Sequence, residues 1–388
     1  MANSLFTLRG ELSNQQRLIL SIVGLFVILG IWTGVAYMKS DWKKIIEAET
    51  DYSKYSNLPE AERDSIIALL DAQYDEAYAN ATDSVRVFPI LPPPGQVVAT
   101  IPDLINKDEL KINTFKSVWI NLKGYLWAIL IAIPLGFLIG LLPIFRGMFN
   151  RPVDAIRYLP LTALTGLFMS WYGISDAMKV AFLAFGILVY LLPVVVQRID
   201  EVKDVYLKTV FTLGANGWQT IRTVYFPSVM SRISDDIRVL TAISWTYIIV
   251  AELVNSAEGG IGALIYLKAR QAQLAKVFAI LLVIVLIGFI QDKYFRYLDK
   301  QFFPFKDQNS SKKEESILST FINFALLVVS GLYVLLSIWP KGREIIRSDN
   351  VLGDGFYVFL FVALIQLILE LFRFLSARKQ SQISELNG

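Results

Sequence analysis

The sequence of 388 residues contains no cysteine and no histidine. Without them the chain lacks disulfides, thiolate and imidazole metal ligands, cysteine nucleophiles and the base of a catalytic triad. The phosphate-binding pattern G-x-x-x-x-G-K-[ST] is also missing, and a net charge of +3 is too small to indicate a nucleic-acid partner. We therefore expect a protein that is not an enzyme and has no catalytic residue, cofactor site or metal site of its own.

Hydrophobic residues, by contrast, make up 54% of the sequence, and its mean hydropathy is +0.49. A soluble domain would be less apolar, so the class predicted is an all-α polytopic membrane protein. A helix needs roughly 20 apolar residues to cross the bilayer core. The clear candidates are Leu18–Met38, Gly124–Phe145, Ile317–Ile338 and Phe356–Phe374. The shorter and more polar candidates are Tyr158–Gly173, Val180–Val196, Val239–Val254 and Val277–Ile290. Together they predict about eight spans.

Lysine and arginine are distributed unevenly between the loops that join these spans. With the N-terminus inside, the inner segments carry most of them, beginning with Arg9 and Arg17. Because positively charged short loops stay in the cytoplasm, we expect both termini to be cytoplasmic in a multi-pass protein of the cell inner (plasma) membrane. The first span is longer than the apolar part of a signal peptide, and we interpret it as a retained anchor.

The polar stretches divide the chain into four parts. We expect a cytoplasmic tail and first span in residues 1–40, an acidic extracytoplasmic insertion in residues 41–116, and a membrane core in residues 117–305. The polar linker Lys306–Glu315 then opens a C-terminal transmembrane hairpin that ends at residue 388. Apolar residues on helical spacing suggest a small helical hairpin in the insertion, which either packs on the membrane domain or receives a soluble partner.

Residues 204–228, called the 204–228 loop below, are polar but keep apolar residues at roughly helical intervals. This pattern predicts a short amphipathic helix at the cytoplasmic surface. Gly214 and Gly217 permit a tight turn or the close approach of another backbone, and Pro227 is expected to close the segment. A helix that floats on the lipid surface is the alternative.

The same loop carries a resemblance to a known family. Leu213-Gly214-Ala215, Trp218 to Arg222 and Pro227 resemble the "EAA" loop of the inner-membrane permeases of ABC importers, in particular the nitrate, sulfonate/taurine and bicarbonate group. In that pattern a glycine is followed after nine residues by I-x-L-P, and Gly214, Val224, Phe226 and Pro227 fall in register. The similarity extends from about Leu91 to Phe305 and includes Ile133-Pro134-Leu135-Gly136 and Gly259 to Gly262.

This resemblance implies a type I ABC importer-like permease core of about six spans, to which the C-terminal hairpin is added. It also implies three protein partners: a second permease copy in a homodimer, a cytoplasmic ABC ATPase that binds ATP and Mg, and an extracytoplasmic solute-binding protein. The implied activity is import of a small solute by alternating access, and the group's typical solutes are anions such as nitrate, sulfonate or bicarbonate.

The resemblance assigns the ATPase contact to Lys208, Leu213, Gly214, Ala215, Gly217, Trp218, Gln219, Ile221, Arg222 and Pro227. The sequence departs from the pattern at Lys208, Thr209 and Val210, which stand where the family has Glu-Ala-Ala. The lysine reverses the charge of one contact, so either the partner ATPase has changed in compensation, or the contact is dispensable, or the permease is not functional.

The solute pathway is expected along the polar, shorter spans, with Thr162, Thr165, Ser170, Ser244, Thr246 and Glu252 as pathway or gate candidates. Each hydroxyl has the alternative of packing between helices. Glu252 is costly near the end of an apolar span, and either hydrogen-bonds the 259–262 turn or acts as a gate. An ion-coupled secondary transporter and a membrane scaffold protein are the competing functions. The first requires embedded acids or broken helices in two related halves, and the second leaves the loop spacing unexplained.

Overall fold

The computed structural model describes residues 12–44, 59–81, 83–303, 306, 312–339 and 354–386. The tail residues 1–11 and the linker residues 307–311, for which we made predictions, lie outside this described part. Its α-helices are α1 Asn14–Met38, α2 Glu60–Asn80, α3 Pro94–Ala99, α4 Ile101–Asn106, α5 Leu110–Leu141, α6 Pro143–Ile156, α7 Thr165–Tyr172, α8 Asp176–Asp200, α9 Asp204–Thr212, α10 Gly217–Thr220, α11 Phe226–Val254, α12 Ile261–Arg270, α13 Leu274–Phe302, α14 Lys312–Ile338 and α15 Asp354–Leu386. Its strands are β1 Asp41–Lys44 and β2 Ser84–Val87.

The described residues contain 6 helices that are long and apolar enough to cross a membrane, and a shorter apolar stretch, Gly355–Leu371. The polytopic helical class is thus confirmed. One predicted span is wrong: Tyr158–Gly173 forms only a 3-10 turn, Leu161–Leu164, and the 8-residue helix α7. At 1.5 Å per residue α7 is about 12 Å long, too short to cross the hydrocarbon core. Pro160 precedes the turn, and Gly173, with φ of +68°, ends the helix.

The chain folds as two compact units, and the first comprises Met1–Pro102 with Ala272–Ala279. Its helix α1 begins with a capping box between Ser13 and Gln16. Strands β1 and β2 pair antiparallel, with Asp41 opposite Val87, an element that the sequence did not predict. Up to Val87, the described part of the insertion holds the helix α2 and a two-stranded ribbon instead of the expected helical hairpin. The short helices α3 and α4 and the start of α5 follow within the proposed bounds. The boundaries proposed for the four parts of the chain stay predictions.

The second unit comprises Asp103–Gln271 with Ile280–Gly388, and helices α5 and α8 form its centre. These helices approach closely because glycines of α5 lie against side chains of α8. A Cβ added to Gly136 would lie 2.3 Å from Cγ1 of Val195, and one added to Gly124 would lie 2.7 Å from Cβ of Leu183. Small residues allow helices to pack this closely in a bilayer, where the hydrophobic effect does not drive helices together.

Helices α11, α13 and α15 join this centre through polar contacts between helices. The Tyr125 hydroxyl of α5 donates to the backbone oxygen of Ile237 in α11 at 3.3 Å. Trp245 Nε1 donates to Gln291 Oε1 in α13 at 2.8 Å. Gln366 of α15 donates from Nε2 to the Tyr294 hydroxyl of α13 at 3.0 Å. Polar side chains thus connect α5, α11, α13 and α15 in succession.

Candidate functional site

The 204–228 loop consists of two short helices separated by a tight turn. Helix α9 ends at Thr212, and Gly214 adopts φ of +80°, a conformation that favours glycine. Asn216 then caps α10 in a capping box with Gln219, in which each side chain accepts from the other residue's backbone N–H at 2.8 Å. Gly214 therefore makes the turn that the sequence predicted. Pro227, in contrast, does not close the loop, because it lies in the first turn of α11, where its missing N–H costs no hydrogen bond.

Large apolar side chains of this loop point away from the protein. Leu213 is 81% exposed, Trp218 71% and Val205 67%. Of the residues assigned to the ATPase contact, Ala215, Ile221 and Pro227 are half-buried, and the exposed ones are Lys208, Leu213, Gly214, Gly217, Trp218, Gln219 and Arg222. The loop itself is fixed inward by Thr220 and Val224, which are both buried. The structure thus brings the predicted contact residues together in one short segment whose apolar side chains face outward.

Charged side chains connect the ends of α8 and α11 that carry the loop, and we call Arg198, Glu201, Arg232 and Asp236 the Arg198 cluster. Arg198 donates from Nε and Nη2 to the two carboxylate oxygens of Asp236, both at 2.7 Å. Its Nη1 donates to Glu201 at 2.8 Å, and Arg232 donates to the same carboxylate oxygen at 2.9 Å. The hydrogen bond from Arg198 lowers the pKa of Glu201. Ion pairs therefore join the end of α8 to α11 at the base of the loop.

Sequence reasoning missed Arg198, Glu201 and Arg232. The available signal was the spacing of Arg198 and Glu201, three residues apart at the end of an apolar run, together with an Arg and an Asp at the start of the next helix. Spacing within a helix does not show which charge on another helix lies opposite, so the pairing required the structure.

A second polar group, the Glu252 cluster, lies at the opposite ends of α8 and α11 and comprises Ser117, Lys179, Glu252 and the 259–262 turn. Glu252 has no exposed surface, its Oε1 accepts from Ser117 Oγ at 2.6 Å, and its Oε2 accepts from the Gly262 N–H at 2.8 Å. Lys179, also fully buried, donates to the backbone oxygen of Gly259 at 2.9 Å. The hydrogen bond to this turn, one of the two roles considered for Glu252, is therefore present.

Glycine is required where the turn approaches Glu252. Gly260 has φ of +112°, and a Cβ there would lie 2.3 Å from the carboxyl group of Glu252. The Gly260 N–H donates to Asn113 Oδ1 at 2.8 Å, and the Ile261 N–H donates to Ser117 Oγ at the same distance. Both acceptors belong to α5, so the turn joins α5 and α11 around one buried carboxylate.

The predicted pathway hydroxyls do not form one surface. Thr162, Ser170 and Thr246 are exposed, whereas Thr165 and Ser244 are buried. Thr165 donates to the backbone oxygen of Thr162 at 2.8 Å. Ser244 donates to Asn121 Oδ1 on α5 at 3.0 Å and to the backbone oxygen of Thr241 at 2.8 Å. Thr165 and Ser244 thus have the packing contacts that were the alternative, while the assignment of all these residues to a pathway stays a prediction.

A cavity of about 690 Å³ opens between α5, α7 and α8. Aromatic and aliphatic side chains form most of its wall, with Lys123 and Asp176 as its charged groups; the aromatic residues are Trp127, Phe168, Trp171, Tyr172 and Phe185. No pathway candidate lines it. In the described part of the chain, no three Asp or Glu side chains come together as they would around a metal ion.

Comparison with known proteins gives consistent matches to transport proteins. The sequence profile of the family described as "Binding-protein-dependent transport system inner membrane component" matches residues 132–303. An ABC transporter permease protein of Methanocaldococcus jannaschii is 27% identical over 197 residues, which cover 50% of this chain and 73% of that protein. The aliphatic sulfonates transport permease protein SsuC of Bacillus subtilis is 27% identical over 56% of this chain and 79% of its own length.

A further relative and a solved structure are also similar to this chain. The taurine transport system permease protein TauC of Escherichia coli is 25% identical, over 55% of this chain and 79% of its own length. Among solved structures, a chain of the MetNI methionine ABC transporter in an inward-facing conformation has 14% identity and a TM-score of 0.45, over 53% of this chain and 98% of that chain.

Proposed function

We propose that this chain, whose residues 132–303 match the profile of binding-protein-dependent transport system inner membrane components, is the permease subunit of an ATP-driven importer. A cytoplasmic ABC ATPase supplies the energy, with ATP and Mg bound on that subunit. An extracytoplasmic solute-binding protein delivers the solute, and a second copy of the chain completes the pathway. Both termini are cytoplasmic in this arrangement, as the loop charges favour.

The observation that carries this proposal is the geometry of the 204–228 loop. It exposes Leu213 and Trp218, although such side chains are normally covered in a finished assembly. At the same time ion pairs of the Arg198 cluster connect the end of α8 to α11, the two helices between which the loop lies. A partner that binds the exposed side chains can therefore move both helices, which is the requirement for alternating access driven from the cytoplasm.

The solute is proposed from the relatives. Two of them are named for sulfonate and taurine transport, so we propose a small organic anion that carries a sulfonate group as the first solute to test. Nitrate and bicarbonate are the other members of the anion class to compare. Glu252 lies far along α11 from the loop end, and a gating role for it is compatible with its buried position between α5 and α11.

The test is copurification of the full chain from its native membrane in mild detergent, with mass spectrometry of the proteins that stay bound. Wild-type protein is expected to retain an ABC ATPase, and Trp218→Ala is expected to lose most of it because the exposed indole no longer fills a partner pocket. Trp42→Ala is the matched control, since Trp42 is 62% exposed but lies on β1.

Two results would contradict the proposal. If no ATPase copurifies with wild type, the chain is not an ABC permease subunit of this kind. If sulfonate uptake in proteoliposomes continues without ATP and stops when an ion gradient is removed, the ion-coupled transporter is the correct function instead.

A further inference from the structure

The charged side chains at the base of the 204–228 loop form ion pairs, whereas the described cations on its outward surface do not. At the base, the carboxylates are paired with arginines: Asp236 and Glu201 with Arg198, and Asp200 with Arg146, whose two Nη atoms donate at 2.7 and 2.6 Å. In these contacts, arginines neutralise the carboxylates that lie next to the loop. The charge of the loop's outward surface therefore depends on other residues.

On the outward side, Lys203, Lys208 and Arg222 are all exposed. Within the described residues these cations form no ion pair. The exposed acidic residue of the segment, Asp204, lies in the first turn of α9, where a carboxylate is stabilised by the helix dipole. The outward surface of the loop is therefore predominantly cationic.

The cations alternate with exposed apolar side chains. Lys208 lies three residues from both Val205 and Phe211, and residues three apart on a helix are neighbours. Arg222 follows Trp218 by four residues and lies near it in the same way. Val205, Phe211 and Trp218 thus each have a cation at neighbouring helical spacing.

Resting on the proposed function, we propose that the ATPase surface that receives this loop is an apolar pocket bordered by carboxylates, which pair with Lys208 and Arg222. Partner surfaces carry complementary charge because an unpaired charge at a contact is costly. A protein partner fits better than anionic lipid, since the loop consists of helices of only 9 and 4 residues. A capped turn joins them, so the exposed apolar side chains do not form the single continuous face of an amphipathic helix that lies on a membrane.

The test measures the affinity of the ATPase recovered with the wild-type chain for full-length variants in nanodiscs. Lys208→Glu and Arg222→Glu are each expected to weaken binding about tenfold, and wild-type affinity is expected to fall between about 50 mM and about 500 mM NaCl. Lys43→Glu, which makes the same charge change on β1, is expected to bind like wild type. Trp218→Ala is expected to weaken binding while the salt dependence remains.

Three results separate the possible failures. If both charge reversals bind like wild type while Trp218→Ala does not bind, the proposed function stands and the acidic border is wrong. If wild type binds no ATPase, the proposed function itself fails. If the charge reversals matter only in nanodiscs with about 30% anionic lipid and not in neutral ones, the cations face the membrane and the inference is overturned.

Discussion

The two ends of helices α8 and α11 are held by different kinds of polar contact. In the Glu252 cluster, a carboxylate without exposed surface accepts from a hydroxyl and a backbone N–H, at 2.6 and 2.8 Å. In the Arg198 cluster, charged side chains that keep part of their surface in solvent form ion pairs at 2.7 to 2.9 Å. The distances are similar, but the surroundings are not.

The surroundings determine how much each contact stabilises the protein. A buried donor that loses its acceptor cannot turn to water, and costs about 1–3 kcal/mol. A solvated ion pair contributes about 0–1 kcal/mol, because water and salt replace it readily. We therefore expect the Glu252 end to be fixed and the Arg198 end, beside the 204–228 loop, to be the adjustable one.

The largest effect is expected from Glu252→Ala. The substitution leaves the Ser117 hydroxyl and the Gly262 N–H without an acceptor in a buried site, so we expect a loss of about 3 kcal/mol in the free energy of unfolding. Thermal unfolding of the full chain in detergent measures it. Glu258→Ala is the matched control, because Glu258 directly precedes the 259–262 turn but its side chain is 43% exposed. An unchanged midpoint for Glu252→Ala would show that the turn is not held by this carboxylate.

A smaller effect is expected from Glu201→Gln in the Arg198 cluster. The amide keeps the shape but removes the charge that Arg198 and Arg232 share, so the expected loss is about 1 kcal/mol or less. The loss is also expected to shrink between about 50 mM and about 500 mM NaCl, whereas the loss in Glu252→Ala is expected to stay the same. Equal salt dependence of the two variants would contradict the comparison between the two ends.

The smallest effect is the pH dependence of the Glu201 contribution. Arg198 lowers the pKa of Glu201 below its ordinary value of 4.5, so the unfolded chain binds this proton at higher pH than the folded chain does. The contribution is complete above the unfolded pKa and is lost as the pH falls through the folded one. Midpoints of wild type and Glu201→Gln are therefore expected to converge as the pH is lowered through the interval below 4.5. A constant difference over that interval would exclude Glu201 as the titrating group.

Long apolar runs made several elements predictable. Spans within α1, α8, α11 and α13 were identified from length and hydropathy, since a bilayer accepts few alternatives for such runs. The turn at Gly214 was predicted from the glycine itself, but the apolar pattern predicted one helix where the structure has two, α9 and α10. The same criterion gave a wrong prediction for Tyr158–Gly173, because this apolar run is interrupted near Pro160 and does not form one continuous helix.

The contacts within the candidate site were predictable only in part. The cost of a buried carboxylate indicated that Glu252 needs a partner, and the glycine-rich turn ten residues later supplied the donor. The pairing of Arg198 with Asp236 was not predictable, because their chain positions are 38 residues apart. The exposure of Trp218 was not predictable either, since an indole in a helical pattern is equally compatible with burial.

The sequence by itself determined the membrane class, most of the spans and the turn at Gly214. These depend on local composition and spacing, which any segment expresses without the rest of the chain. Only the tertiary structure decided which helix ends are fixed by buried hydrogen bonds, which are held by solvated ion pairs, and which side chains of the loop face outward. These properties depend on the neighbours that distant segments bring to each group, and therefore on how much water is excluded around it.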